Sequence, residues 1–427
     1  MGEGIKLGGG AGGVINAVID EFLSVEGEIS ANSFVEFVTQ TAVGTAVQCT
    51  SYKTSNTKIR GCVLSDTKAF LLILTEDNAY ANAVVLNISN TSITVGSPVS
   101  VGDKYPIDCV AIDENRVFIA YDNASGQRSV RILSINGTSI TAGTALVVDV
   151  SGDSPNGFIL VAMPNDYVYL VVSDVLKGIQ GVLFKVSGTT ITVSHGTHTV
   201  GRNTSGSGAP CAATRLDDTR IFVYYVYWNG SNSGSTNDRQ RGVVVTIANG
   251  AVSVGAVTEL SNHYYYVAGV SACKVSDNKV MCVFDDPNTN KNVQAFIVNV
   301  SGSTLSVGPR YTIASISSSS LGIGRFAVRL RDGICAIAVG PNKVIYFVSV
   351  VGTEIEIIST VSFSNAIRYG NIDVTSDGKI IVFSSTTNAK AQIVKYINGI
   401  RPSDTQINGM TRTRATTAKP GKVWVLP

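Results

Sequence analysis

Histidine is the scarcest of the residues that commonly do chemistry: the chain has three, and two stand close together in His195-Gly-Thr-His198. Two imidazoles at that spacing could begin a metal site, but zinc needs a third or fourth nitrogen, sulfur or carboxylate donor, and none follows nearby in sequence. The pair is read as surface-loop histidines. Asp286-Pro-Asn288-Thr-Asn290-Lys-Asn292 resembles the start of a calcium loop but lacks the glycine at position six and the closing glutamate. A GxSxG nucleophile elbow is absent, as is the Ser-x-Asp-x-Gly-x-x-Trp signature of sialidases, and the only tryptophans are Trp228 and Trp424. No catalytic residue, metal ligand or cofactor is therefore assigned. A binding chemistry is better represented. Tyr227 and Trp228 open a polar stretch of Asn, Gly and Ser that runs through Arg239 to Arg241, and a second stretch holds His263, Tyr264 and Tyr265. Exposed aromatics with arginine suit protein interfaces and sugar stacking. The competing reading is that the tyrosines finish strands and pack inside the fold.

The elements that would position these residues follow from a repeat. A small turn pair recurs between apolar strands at Ser89-Asn90, Asn136-Gly137, Ser187-Gly188, Asn249-Gly250, Ser301-Gly302, Val351-Gly352 and Asn398-Gly399. Strands of one stamp follow the first six, among them TSITVG, TSITAG and STLSVG. A second register of strand, acidic turn and strand carries Asp66, Asp113, Asp166, Asp217, Asp277, Asp332 and Asp377. Both registers share a period of about 50 residues, which marks a solenoid, propeller or array. Each unit reads as four strands; in the second these are Ile107–Ala111, Val117–Tyr121, Ser129–Ile135 and Ser139–Val148. A single sheet cannot bury both faces, whereas radial packing of seven does. The predicted fold is all-β, a seven-bladed β-propeller of four-stranded blades with a small terminal β-module; the rival is an open array of β-sandwiches. The seventh unit lacks its own outer strand, and Phe37–Gln48, which contains Ala-Val-Gly-Thr-Ala-Val, is expected to supply it. In such a ring the loops of Tyr227, Trp228 and Arg239, of His263, Tyr264 and Tyr265, and of His195, His198 and Arg202 emerge on one face.

Composition agrees. Of 427 residues, 44% are hydrophobic, with valine, isoleucine, threonine and serine prominent, as strands favour. Charged residues are 15% and the net charge is +2, which argues against a nucleic-acid partner. No apolar run has the length of a membrane helix, and the first residues lack the apolar centre of a signal peptide. The 7 cysteines show no CxxC or Cys–His clustering. Cys62, Cys109 and Cys273 each precede the turn aspartate by four residues, with Cys211 on the same strand face, so they are expected as buried free thiols. Outside the ring, Gly8–Gly13 reads as a flexible arm and Val14–Leu23 as a short amphipathic helix, with Ile15, Val18, Ile19, Phe22 and Leu23 on one side. Near the other end, Ile407–Arg412 and Lys422–Leu426 read as strands that join Ile29–Val38 in one module.

The ends carry a resemblance. MGEGIKLGGGAGG resembles the starts of tail-fibre and tail-tip proteins of bacteriophages. GEISANSFVEFV, with Ile407-Asn408-Gly409-Met410 and Pro420-Gly421-Lys422-Val423-Trp424-Val425, is similar to small β-modules of phage virion proteins. The blade repeats are similar to propeller domains of such proteins. The chain departs from the pattern at Met410 and Arg412–Arg414, where the family is usually smaller. The resemblance implies a non-enzymatic virion structural protein, synthesised in the host cytoplasm. Residues 1–32 would be an attachment arm and helix, 33–402 the propeller and 403–427 a C-terminal β extension. The implied partners are other virion proteins at the termini, further copies of the chain, and a glycan or protein of the host surface, with no membrane. A tail fibre or tail-tip role leads; a capsid decoration or head fibre and a glycan-binding or glycan-active propeller are the alternatives.

Overall fold

The computed structural model describes residues 18–24, 34–50, 59–74, 81–102, 106–123, 125, 127–150, 158–174, 177–201, 210–227, 239–261, 269–286, 292–316, 325–331, 333–364, 367, 370–385, 388–402, 409–411 and 421–425. Among them there is no helix, and so none long and apolar enough to cross a membrane. Two compact units form: Val43–Val394, and Met1–Ala42 with Lys395–Pro427.

The larger unit is the seven-bladed propeller. Blades 1 to 6 span 59–102, 106–147, 158–201, 211–261, 270–315 and 327–362, and blade 7 begins at 371. Each is an antiparallel meander whose first strand lies innermost, and the inner strands touch in cyclic order until that of blade 7 meets that of blade 1. Alternation along the middle strands sends apolar side chains to both neighbours. Phe222, Tyr224 and Val226 pack towards blade 5, whereas Ile221, Val223 and Tyr225 pack towards blade 3. The core is therefore a ring of inter-blade layers rather than one centre.

The N-terminal segment closes the ring as expected: Val47 pairs with Ala391 and Gln48 with Lys390. The Gly44 amide donates to the Ile393 carbonyl at 2.9 Å and that of Cys49 to Ala389 at 2.8 Å. The repeat motif explains why this segment fits. A glycine four to five residues past one blade's outer turn lies beneath the hydroxyl residue in the next blade's outer hairpin, in the pairs Gly96–Thr138, Gly143–Thr189, Gly255–Ser303 and Gly308–Thr353. Gly44 continues the series against Thr91, where a Cβ would come within 1.9 Å of the Thr91 carbonyl oxygen. In blade 3 a serine replaces the glycine, and Ser194 Oγ donates to the Gly250 carbonyl at 3.3 Å.

Four expectations need correction. Five of the outer hairpin turns sit one residue later than the sequence pairs, at Asn90-Thr91, Gly137-Thr138, Gly188-Thr189, Gly302-Ser303 and Gly352-Thr353. The αL conformation falls on the Asn or Gly, and the preceding residue ends a strand. Asn398-Gly399 forms no turn but lies inside the strand Ala389–Pro402, because the outer strand comes from the other end of the chain. His195 and His198 lie in the outer strand Thr190–Gly201, not in a loop. The proposed helix at Val14–Leu23 is, in its described part, the strand Val18–Ser24. It pairs antiparallel with Gly421–Val425, from Val18 opposite Val425 to Phe22 opposite Gly421. A short apolar run reads either way, and a partner strand supplies hydrogen bonds that a ten-residue helix could not hold alone. In the same smaller unit Phe34 pairs with Met410, and Met410 with Trp424, so N- and C-terminal strands share one module.

Candidate functional site

Blade 4 presents the candidate site at the end where its second strand stops and its third begins. Tyr227, the last residue of the strand Arg220–Tyr227, stands directly opposite Arg239, the first of Arg239–Ala248. Tyr225 stands opposite Arg241 two residues further in. Strand alternation puts all four on one face. Arg239 pairs with Glu259 at 2.6 Å. The Arg241 guanidinium lies 3.6 Å from the centroid of the Tyr227 ring, a cation–π stack. Of the six patch residues read from sequence, Tyr227 and Arg239 are thus brought together. Trp228, His263, Tyr264 and Tyr265 lie outside the described residues, as does Arg202.

Sequence reasoning missed Tyr225 and Glu259, and it placed Arg241 at the end of the polar stretch without selecting it as a site residue. A signal for Tyr225 and Arg241 was present: Tyr225/Tyr227 and Arg239/Arg241 are each spaced by two, the strand period that places a pair on one face. Tyr225 is fully buried against blade 3. Burial pushes its phenol pKa up, and Arg241 alongside pulls the other way. Its hydroxyl lies against Gly201 at the end of blade 3, where a Cβ would fall 2.3 Å from it, so only glycine fits there.

The histidines belong to the neighbouring blade. His198 Nε2 is 2.9 Å from the Tyr169 hydroxyl and Nδ1 is 3.0 Å from the Gly196 carbonyl. The carbonyl can only accept, so Nδ1 carries the proton and Nε2 accepts from the phenol. The rings of His195 and His198 meet edge to face with centroids 4.9 Å apart. Burial lowers the His198 pKa, and His195 adds to that.

Charge at the axis was not foreseen. Arg325, just before the inner strand of blade 6, donates to Asp108 at 3.3 Å and to the carbonyls of Cys109 at 3.2 Å and Leu160 at 3.1 Å. Those residues belong to blades 2 and 3, the farthest from blade 6 in the cyclic order, so the side chain spans the central channel. Burial works against the Arg325 charge, but Asp108 and Asp373 outweigh it and its pKa is raised. Inner-strand polar groups also stitch adjacent blades. Asp108 accepts from the Leu160 amide at 2.8 Å, and Asn371 exchanges two 2.8 Å bonds with the Gly61 backbone. The cysteines are buried and free, and burial pushes Cys49 and Cys211 up to about 12.

On the opposite face the aspartate turns do more than turn. Asp66 accepts from Ser376 of blade 7 at 2.7 Å, and Arg116 reaches Asp166 of blade 3 at 2.6 Å. A cleft of about 510 Å³ there is lined by Arg215, Asp217, Asp218, Thr219, Lys274 and Asp277. Its charges pair internally, Arg215 with Asp218 and Lys274 with Asp277, each at 2.7 Å.

No protein-family model matches the chain, and no curated protein is similar to it in sequence. Its architecture is shared with solved structures. The WD40 domain of Toxoplasma gondii coronin aligns at 8% identity over 88% of this chain and 90% of that one, with a TM-score of 0.56. A Bacteroides fragilis protein provisionally named a 6-phosphogluconolactonase aligns at 10% identity over 83% and 97%, TM-score 0.52. A Lactobacillus plantarum protein aligns at 11% identity over 73% and 86%, TM-score 0.51. At such identities the likeness carries the propeller fold alone, and a fold shared this widely does not decide between catalysis and binding.

Proposed function

We propose that the chain is a non-enzymatic structural protein of a bacteriophage particle, a tail fibre or tail-tip component whose propeller is a rigid display body. The observation that carries this reading is the division of labour along the chain. Val43–Cys49 completes the ring, while the segments beyond it at both ends gather in a separate module available for attachment. The phage-like motifs lie in those same terminal segments. The partners would be other virion proteins at the termini, further copies of the chain, and a glycan or protein of the host surface at the loop face of blade 4. The inner polar groups support a scaffold role, since Asp108, Asn371 and Arg325 are spent on joining blades.

Electron microscopy of particles labelled with an antibody to the chain tests the location. Label at the tail is expected; label on the head would replace the tail reading with a capsid decoration or head fibre, and unlabelled particles would end the virion reading. Removing residues 1–24 should leave a folded protein that no longer enters particles. Trp228→Ala with Tyr265→Ala should leave incorporation intact and weaken host-cell binding about thirty-fold, as loss of hot-spot aromatics does. Wild-type adsorption by that double variant would exclude this patch as the main contact.

A further inference from the structure

Blade 6 departs from the repeat along its outer strand, Glu354–Ser362. Ser89, Asn136, Ser187 and Ser301 precede the αL turn residue in blades 1, 2, 3 and 5, whereas blade 6 has Val351, 72% exposed. The places of Ser92 and Thr94 in blade 1 are taken by Glu354 and Glu356, both exposed. The place of the interlocking glycines Gly96, Gly143, Gly255 and Gly308 is taken by Ile358. The register against Val344–Val351 shifts there, so Ile357 and Ile358 are exposed side by side, at 41% and 36%, where alternation would bury one. Among the described residues blade 7 has no outer hairpin to press on Ile358, because its outer strand comes from the N-terminal segment. The other outer edges are guarded. Those of blades 1, 2 and 4 break into two short strands, that of blade 7 is two residues long, and those of blades 3 and 5 carry Gly196 and Gly308-Pro309. Glu354–Ser362 runs without glycine or proline. Its charges are divided between its ends. Glu354 and Glu356 stand at the turn end, and the exposed Lys343 abuts the other, where its carbonyl accepts from the Phe363 amide at 2.9 Å. None of the three has an ion-pair partner among the described residues.

We propose that this edge is a contact between two copies of the chain, docked antiparallel across a two-fold axis at Ile358. That alignment sets Ile358 against its counterpart, Ile357 beside Ser359, and Glu356 and Glu354 towards Thr360 and Ser362. No carboxylate meets another, and Glu354 of each copy comes to the Lys343 end of the other. A parallel pairing would set the glutamates side by side. Val351 lengthens the apolar surface at either end. The bulge interrupts the edge ladder, so packing of the aliphatic side chains carries the contact rather than one continuous added strand. The inference rests on the reading of further copies as partners and assigns them a surface.

Sedimentation of the full-length protein between about 1 and 100 μM tests it, since a modest interface should pass from monomer to dimer over that range. Val351→Ser with Ile358→Ser copies Ser89 and Ser194 of other blades, so the fold should stand and far-ultraviolet dichroism should not change. That variant should dimerise at least about tenfold more weakly. Glu354→Lys or Lys343→Glu alone should weaken association roughly three- to tenfold, and more so at low salt. Both charge changes in one chain should restore it, because each copy then offers the exchanged charges to the other. A monomer at every concentration, including one whose edge takes only a basic segment of a different protein, would overturn the proposal. So would a dimer that the two serines leave intact, or a charge exchange that rescues nothing. Antibody labelling of particles is read separately. Dimers through this edge with unlabelled particles end the virion reading and keep the interface; labelled tails with a monomeric protein do the reverse.

Discussion

Arg325 shows how much one side chain can contribute to a ring. Its donors reach the Asp108 carboxylate and two carbonyls on the far blades, tying across an axis that no backbone hydrogen bond among the described residues crosses. Asp108 is almost wholly buried, and although Arg60 also lies within its field, removing Arg325 leaves the carboxylate with less compensation in a poor solvent. Arg325→Met should cost about 3 kcal/mol, the low end for breaking a buried pair, because a quarter of the guanidinium side chain is still exposed and screened. Arg325→Met with Asp108→Asn should recover part of that loss, since the amide can still accept from Leu160. Urea unfolding of the wild type, the single and the double variant measures both. Equal stability of wild type and Arg325→Met would mean that the cross-ring contact contributes nothing. The sequence did not point to Arg325, since an arginine before a strand resembles any surface cation until the ring sets its distant partners beside it.

The outer strand of blade 3 is the element with a built-in proton dependence. His198 is neutral in the fold, caught between Tyr169 and the Gly196 carbonyl, and its pKa lies below the ordinary 6.5. The unfolded chain therefore takes up the proton first. Stability should fall as pH drops through 6.5 towards the depressed folded value and level off below it. The groups facing the imidazole are His195 and Tyr169, and the His195 ring beside it disfavours the charged form of His198. His198→Gln retains an acceptor for the phenol and should flatten this part of the stability profile between pH 7 and 5, followed by denaturant midpoints. An unchanged slope would assign the dependence to other groups. Alternation and turn chemistry made the strand itself legible. They could not show that Gly181 clears the space in which Tyr169 reaches His198, because that contact crosses three strands.

For the whole molecule, cooperativity follows from architecture. Every inter-blade layer is shared by two blades, and the chain end that closes blade 7 also locks under Thr91 of blade 1. Cys62, Cys109 and Cys273 lie on inner strands at 1%, 0% and 5% exposure. Buried thiols are inert, so these three should label only as the ring unfolds, together and at one rate. Mass spectrometry after timed exposure to a thiol reagent checks this, and rapid labelling of all three without denaturant would contradict their packing.

The sequence by itself determined the architecture. A period shared by two registers, the αL-prone turn residues and the Gly–Thr echo of the outer hairpins each report a local conformation or a neighbour one repeat away. Even the closing strand was legible, because Ala-Val-Gly-Thr-Ala-Val carries the glycine that the interlock requires. Only the tertiary structure decided what lies across the ring and between its walls: Arg325 against Asp108, Tyr225 against Gly201, Arg241 stacked on Tyr227, and the strand rather than helix at Val18–Ser24. The strand at Val18–Ser24 follows from its pairing with Gly421–Val425 in the terminal module; for the other three the physical reason is the same. Periodicity records which face a residue occupies, but a site depends on which faces meet, and that is fixed by closing seven sheets into one ring.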